Sequence, residues 1–425
     1  MEQGVKNEWV NWHCGQPIDV WPAPVDHPWV ADYTRWLTGP KARLLDSEKL
    51  FDGLCGRLTE AGVPIDRCVL LFKTLHPVYP GHNYFWTRER GTWLVPLSHD
   101  FDNSERMLVS PYQEALDRGT AVRFDVSHGT ETRMPILNEL AHEGYQELVC
   151  ELIPFTFGQT PGITFATKAA SGFTAEATAL LRAAVPPMAT PLEVRAQRLT
   201  LGAVLRTYLG AAPGSNVLDG VIQRNDVRRL TCAILLADLR GFTEKAERWP
   251  SDSLLAALSS YFELLDRAVR RSGGDIIKFM GDGVLAIFPV EEAGSSRVAC
   301  QRALDAALTA RMQLPSINAE RRGRGEEPID FGCGLHIGEV AYGNIGSMER
   351  LDFTVIGTAV NLASRIQDFC KTLAQPVLLT ADIASEVDMP LVSCGKHRIR
   401  GITTPVRLFA PADANAIRTG SLQSA

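Results

Sequence analysis

No stretch of eighteen apolar residues occurs in this 425-residue chain, so no membrane-spanning helix is expected. The amino end, Met1-Glu2-Gln3-Gly4-Val5-Lys6, has no apolar core of the kind a secretory leader needs. Cys-x-x-Cys pairs are absent. The nine cysteines are scattered, and Cys68, Cys150, Cys232 and Cys333 sit inside apolar segments. They read as small core hydrophobes of a cytoplasmic protein, not as disulfides or zinc ligands. A basic surplus is also lacking. The formal net charge is −6, and the run Arg321-Arg322-Gly323-Arg324 is short and lies in a polar stretch, so nucleic acid is not an expected partner. No internal repeat is visible.

What remains is ordinary globular composition, 45% hydrophobic and 22% charged, long enough for two or three domains. Residues 1–42 hold Trp9, Trp12, Trp21, Trp29 and Trp36, five of the eight tryptophans, among several prolines. Such an arm is expected to pack onto a domain or a partner chain. Residues 43–188 read as an α/β unit. A helix is expected around Leu50–Ala61, then strands at 67–73, 82–87, 92–95 and 121–124. A helix from Leu137 to Gly144, strands at 148–154 and 162–167, and a final helix capped by Thr174 complete it. Residues 189–226 read as a helical connector broken by Gly210-Ala211-Ala212-Pro213-Gly214-Ser215. Residues 413–425 are expected to be a flexible tail.

From Thr231 the pattern is β-α-β-β-α-β. Strands are expected at 231–237, 275–280, 284–288, 330–337 and 351–356, with helices at 253–271, 298–314 and 358–372. Two aspartates stand out. Asp238 follows the apolar run Leu235-Leu236-Ala237, and Asp282 lies in the hairpin turn Gly281-Asp282-Gly283. Carboxylates delivered to strand ends by a rigid sheet suit hard divalent cations and a polyphosphate. Lys278 lies in an otherwise apolar strand, where alternation puts it on one face with Ile276 and Met280. Asn361 and Arg365 are i and i+4 on a helix and share a face.

The segments ADLRGFT, SGGDIIKFMGDGVLAIF and LHIGEVAYGNIGSMERLDFTVIGTAVNLASR together resemble the catalytic domain of class III nucleotidyl cyclases, over residues 227–412. The resemblance implies a ferredoxin-like α/β (α+β) fold and makes Asp238, Asp282 and the carbonyl of Leu239 ligands of two Mg²⁺ or Mn²⁺ ions. The turn through Gly241, Phe242 and Thr243 would cradle the triphosphate. Lys278 and Thr354 become the base-reading pair; Lys can donate to adenine N1, which favours ATP. Thr354 stands where many relatives carry Asp, and a hydroxyl both accepts and donates. Asn361 and Arg365 become the pair that orients ribose and stabilises charge on the reacting phosphate, and Arg400 a contact to the β,γ-phosphates. Gly273-Gly274-Asp275 resembles the GGDEF motif of diguanylate cyclases, but Ile276-Ile277 break it.

In that family one protomer supplies the metal aspartates and the other supplies the Lys, Asn and Arg, so a homodimer is implied. Residues 43–188 are similar in element order to GAF domains, which bind small molecules or merely dimerise; the resemblance implies either a regulatory unit with an unknown small-molecule or protein effector or a dimerising scaffold. The expected activity is conversion of ATP to 3′,5′-cyclic AMP and pyrophosphate. A guanylate or dual-specificity cyclase, or a silent nucleotide-binding regulator, are the alternatives.

Overall fold

The computed structural model describes residues 27–73, 81–98, 100, 104–127, 133–156 and 160–412. Trp9, Trp12, Trp21 and the 413–425 tail lie outside them. The chain divides into two compact units, Met1–Val204 and Leu205–Ala425.

In the first unit, helices α1 (Pro28–Thr38), α2 (Pro40–Leu44) and α3 (Ser47–Glu60) precede strands β1 (Arg67–Lys73), β2 (Gly81–Thr87) and β3 (Gly91–Leu97). Then come α4 (Glu105–Leu108), α5 (Pro111–Arg118), β4 (Val122–Asp125), α6 (Pro135–His142), β5 (Glu147–Leu152) and β6 (Gly162–Thr167). The sheet is six-stranded, antiparallel throughout, in the order β3-β2-β1-β6-β5-β4. Leu50, Phe51, Leu54 and Leu58 of α3 bury one helical stripe in its core. Trp29 and Trp36 of α1 pack against that core, and Tyr33 between them is buried, so the described part of the tryptophan-rich arm docks as expected.

Helix α7 (Ala175–Leu209) begins where Thr174 accepts a hydrogen bond from the Ala177 amide, and it continues unbroken through Pro186, Pro187 and Pro191. Two separate helices were expected from the sequence; the structure has one. The expected break at 210–215 is confined to Gly210, whose φ of +98° ends α7. Helix α8 (Ala211–Leu218) starts at once, and Pro213 falls in its first turn, where no amide donor is needed.

The second unit continues with β7 (Val227–Leu239), α9 (Phe242–Arg248), α10 (Ser251–Arg271), β8 (Asp275–Met280), β9 (Gly283–Pro289) and α11 (Val290–Ala293). It then runs through α12 (Ser296–Gly323), β10 (Phe331–Gly346), β11 (Leu351–Ile356), α13 (Thr358–Thr372), β12 (Val377–Thr380), α14 (Ala381–Ala384), β13 (Leu391–His397) and β14 (Val406–Pro411). The β-α-β-β-α-β order is as the sequence predicts. The eight-stranded sheet runs β13-β14-β12-β10-β7-β9-β8, with β11 paired to the far half of β10. Strand β10 is twice the expected length because its second half, Ala341–Gly346, forms that hairpin with β11.

Alternation along β7 splits the core. Ala233, Leu235 and Ala237 pack with α10 and α12 on one face. Cys232, Ile234 and Leu236 pack with β11 and Ala359 and Ala363 of α13 on the other. Helix α13 lies directly on β10 because the strand has glycines beneath it. A Cβ on Gly334 would stand 2.5 Å from the Gln367 nitrogen, and one on Gly332 would stand 2.8 Å from Cys370 Cβ. The eight cysteines among the described residues are all free, and seven of them are buried.

Candidate active site

Register brings the two aspartates together. Ala237 is the last β7 residue opposite β9, facing Val284, so Asp238 emerges level with the β8–β9 turn. That turn closes between Met280 and Gly283, with Gly281 at φ +65°, and it holds Asp282 at its tip. A Cβ added to Gly283 would stand 3.8 Å from Asp238 Oδ1. Burial, then the facing Asp282 carboxylate, push the Asp238 carboxyl up to about 7. Asp368 on α13 adds to the same negative field, and the Leu239 amide opposes it. Two carboxylates held this way, beside the Leu239 backbone, fit divalent cations: a cation removes the repulsion that otherwise retains a proton.

Beyond Asp238 the chain is fastened by Arg240, whose guanidinium donates to the Gln375 carbonyl at 2.8 Å and pairs with Asp330 at 3.2 Å. Gly241 follows at φ +70° and begins α9, whose amino end has no side-chain cap. Gly241 and Thr243 are exposed and Phe242 is half-buried, and the first-turn amides follow Asp238 closely in sequence.

Lys278 differs from the sequence expectation. A bulge between Ile276 and Lys278 offsets their β9 partners, Ala286 and Leu285. Ile276 therefore packs with the α10–α12 core and Ile277 with the opposite one. Phe279 meets Phe262 of α10, at 4.4 Å between ring centroids. Lys278 shares a face with Met280 but not with Ile276, because the extra residue reverses the alternation. It emerges toward β11 and places Nζ 2.5 Å from Asp352 Oδ2. The Lys278 hydrogen bond holds the Asp352 carboxyl below its usual range. Thr354 lies two residues further along β11, on the same side as Asp352, while Phe353 and Val355 turn into the core.

Asn361 and Arg365 are exposed on α13, one turn apart. Arg365 sits 3.8 Å from Asp368, the residue whose charge reaches Asp238. Arg400 is exposed in the β13–β14 connection, before Gly401 at φ +81°. The structure thus juxtaposes Asp238 with Asp282 and puts Lys278 beside the strand that carries Thr354. Sequence reasoning missed Asp352, Asp368 and Arg240. The i,i+3 spacing of Arg365 and Asp368 was the available signal for one of them. The Lys278–Asp352 pair spans 74 residues and had none.

Residues 226–401 match the family described as adenylate and guanylate cyclase catalytic domain. The chain is 34% identical over 167 residues to an adenylate cyclase of Anabaena cylindrica, covering 38% of this chain and 32% of that protein. It is 30% identical over 154 residues to adenylate cyclase 1 of Rhizobium meliloti, covering 36% and 23%. It therefore spans about a third or less of the length of these curated relatives. Among solved structures, the adenylyl cyclase CyaB from P. aeruginosa matches at 25% identity, over 44% of this chain and 96% of that one, with a TM-score of 0.41. The guanylyl cyclase Cya2 matches at 29% identity, over 44% and 93%, with a TM-score of 0.40.

Proposed function

We propose that this chain, whose residues 226–401 are an adenylate and guanylate cyclase catalytic domain, converts ATP to 3′,5′-cyclic AMP and pyrophosphate. The observation that carries the reading is the Asp238–Asp282 pair, two carboxylates forced together with a proton retained up to about 7. Asp238, Asp282 and the Leu239 carbonyl would hold the metals. Two Mg²⁺ or Mn²⁺ ions bound there supply acidity to the 3′-hydroxyl and charge neutralisation to the phosphates.

This chain's own groups do the rest. The amides at Gly241, Phe242 and Thr243 donate to the triphosphate. Asn361 orients the ribose, Arg365 stabilises charge growing on the reacting phosphate, and Arg400 contacts the departing phosphates. Lys278 donates to adenine N1, with Thr354 as second base contact. The names of the two curated relatives support the adenine reading. A homodimer completes two equivalent sites, each taking its aspartates from one copy and Lys278, Thr354, Asn361 and Arg365 from the other. The N-terminal α/β unit, read as GAF-like, regulates by setting how the two copies align.

One observation favours a second reading. Asp352 puts a carboxylate acceptor against Lys278, and a carboxylate can accept from guanine N1–H. A dual-specificity cyclase follows if Asp352 reads the base. Purified full-length protein, assayed with ATP and with GTP in Mg²⁺ and in Mn²⁺ beside Asp282→Ala, separates the two. Cyclic AMP from the intact protein alone fits the proposal. Cyclic GMP as main product replaces the adenine assignment, and equal product from the Asp282→Ala variant overturns the metal site.

A further inference from the structure

A cavity of about 350 Å³ lies on one face of the N-terminal sheet. Its floor follows the period of the strands. Arg67, Val69 and Leu71 project from β1, while Phe85 lies opposite Val69, and Asn83 opposite Leu71, on β2. Pro111 and Tyr112 of α5 form part of the roof. Tyr112 is held over Gly162, where a Cβ would stand 2.2 Å from its ring, and its hydroxyl donates to the Thr160 carbonyl at 2.6 Å.

Two polar groups in this wall are unspent. Asn83 is only 6% exposed, and its Oδ1 has no hydrogen-bond partner among the described residues. An acceptor buried without a donor is unfavourable until a ligand supplies one. Arg67 forms no ion pair among the described residues, and its guanidinium stands 5.6 Å from the Phe85 ring centroid. Burial depresses its pKa. The other arginine of the cavity, Arg106, is already engaged by Glu139 at 2.6 Å. Mainly apolar walls with one free acceptor and one free cation among the described residues describe a built site for an amphipathic small molecule. The backbones of Arg67 and Leu71, the partner of Asn83, are roughly 13 Å apart along β1. An arginine side chain spans several ångströms of that distance. A planar body lying between the two groups rests on Val69 and Phe85.

We propose that this cavity binds an aromatic carboxylate bearing an N–H or O–H donor at the end remote from the acid. The donor bonds Asn83 Oδ1, the carboxylate pairs with Arg67, and the rings lie against Val69 and Phe85. This inference concerns the first unit alone and does not depend on the cyclase reading.

The test is isothermal titration of the full-length protein with indole-3-propionate, with indole-3-propanol, which lacks the acid, and with 1-methylindole-3-propionate, which lacks the donor. The acid should bind saturably, one per chain. Loss of the carboxylate, or Arg67→Gln, should weaken binding about tenfold or more, as expected for a charge-assisted hydrogen bond. Arg67→Gln should also bind the acid no better than the alcohol while keeping the wild-type affinity for the alcohol, a readout that misfolding does not mimic. Asn83→Leu should abolish the preference for the unmethylated ring. Absence of saturable binding overturns the proposal. So does equal binding of acid and alcohol by the wild type, or binding unchanged by both substitutions, which would leave a water-filled cavity.

Discussion

Lys278 Nζ lies 2.5 Å from Asp352 Oδ2, joining strands β8 and β11 across 74 residues of sequence. Both side chains are about two-fifths exposed or more, so the pair contributes about 1 kcal/mol or less to stability. Its effect is on position: the ammonium that would read the base is held in one place before nucleotide arrives. Asp352→Ala should leave the melting temperature nearly unchanged and raise KM for ATP about three- to tenfold, the cost of ordering a long side chain on binding. Steady-state kinetics with kcat within about twofold of wild type fits this role. An unchanged KM for both ATP and GTP contradicts it.

Helix α13 carries both Asn361 and Arg365, and its seat is a glycine. A Cβ at Gly334 would meet the Gln367 nitrogen at 2.5 Å and the Ala363 carbonyl oxygen at 2.6 Å, both backbone atoms that cannot swing aside. Gly334→Ala should therefore lift the helix. The expected destabilisation is about 1–3 kcal/mol, read by thermal melting. Cyclase activity should fall by more than the loss of folded protein explains, because displacement of about 1 Å in a transition-state group can cost on the order of a hundredfold.

Glu151 in β5 is 8% exposed, and burial pushes its carboxyl up from 4.5 to about 7. Arg182 lies 3.2 Å away and opposes the shift, but the contact is poorly aligned, since both facing atoms lack a hydrogen bond. A raised carboxyl means the native state holds a proton that the unfolded chain has released. The stability this gives is complete below the usual carboxylate range and is lost as pH rises to about 7. Melts taken across that window should show falling stability. Glu151→Gln should remove its share of the slope, on the order of 3 kcal/mol at most. Asp238, raised to about 7 with the same sign, leaves a residual slope in the variant.

Most of the catalytic unit was legible because its signals are local. Helix α10 shows an apolar stripe and a Ser272-Gly273-Gly274 end, and the hairpin at 281–283 is set by its glycines. The aspartate pair followed from placing each at a strand end. What escaped depends on residues that meet only in the folded chain. The bulge at Ile276–Lys278 cannot be read from two consecutive isoleucines, since each is apolar enough for either face. Helix α7 runs through Pro186, Pro187 and Pro191 because its face is buried, as Val185, Met188, Ala189 and Leu192 show, and that packing outweighs the local penalty. The far half of β10 was missed because Gly338, Gly343 and Gly346 interrupt it; pairing with β7 and β11 holds it extended.

In the proposed reaction Asp238 and Asp282 of one copy work with Asn361 and Arg365 of another to cyclise ATP. Mixing purified Asp282→Ala with purified Arg365→Ala, after subunit exchange, tests it most directly. Each variant alone should produce almost no cyclic AMP. The mixture should regain roughly a quarter of wild-type activity, because half the dimers are mixed and each mixed dimer holds one intact site. A mixture that stays silent despite demonstrated exchange, or an Arg365→Ala variant that is active alone, contradicts the shared site.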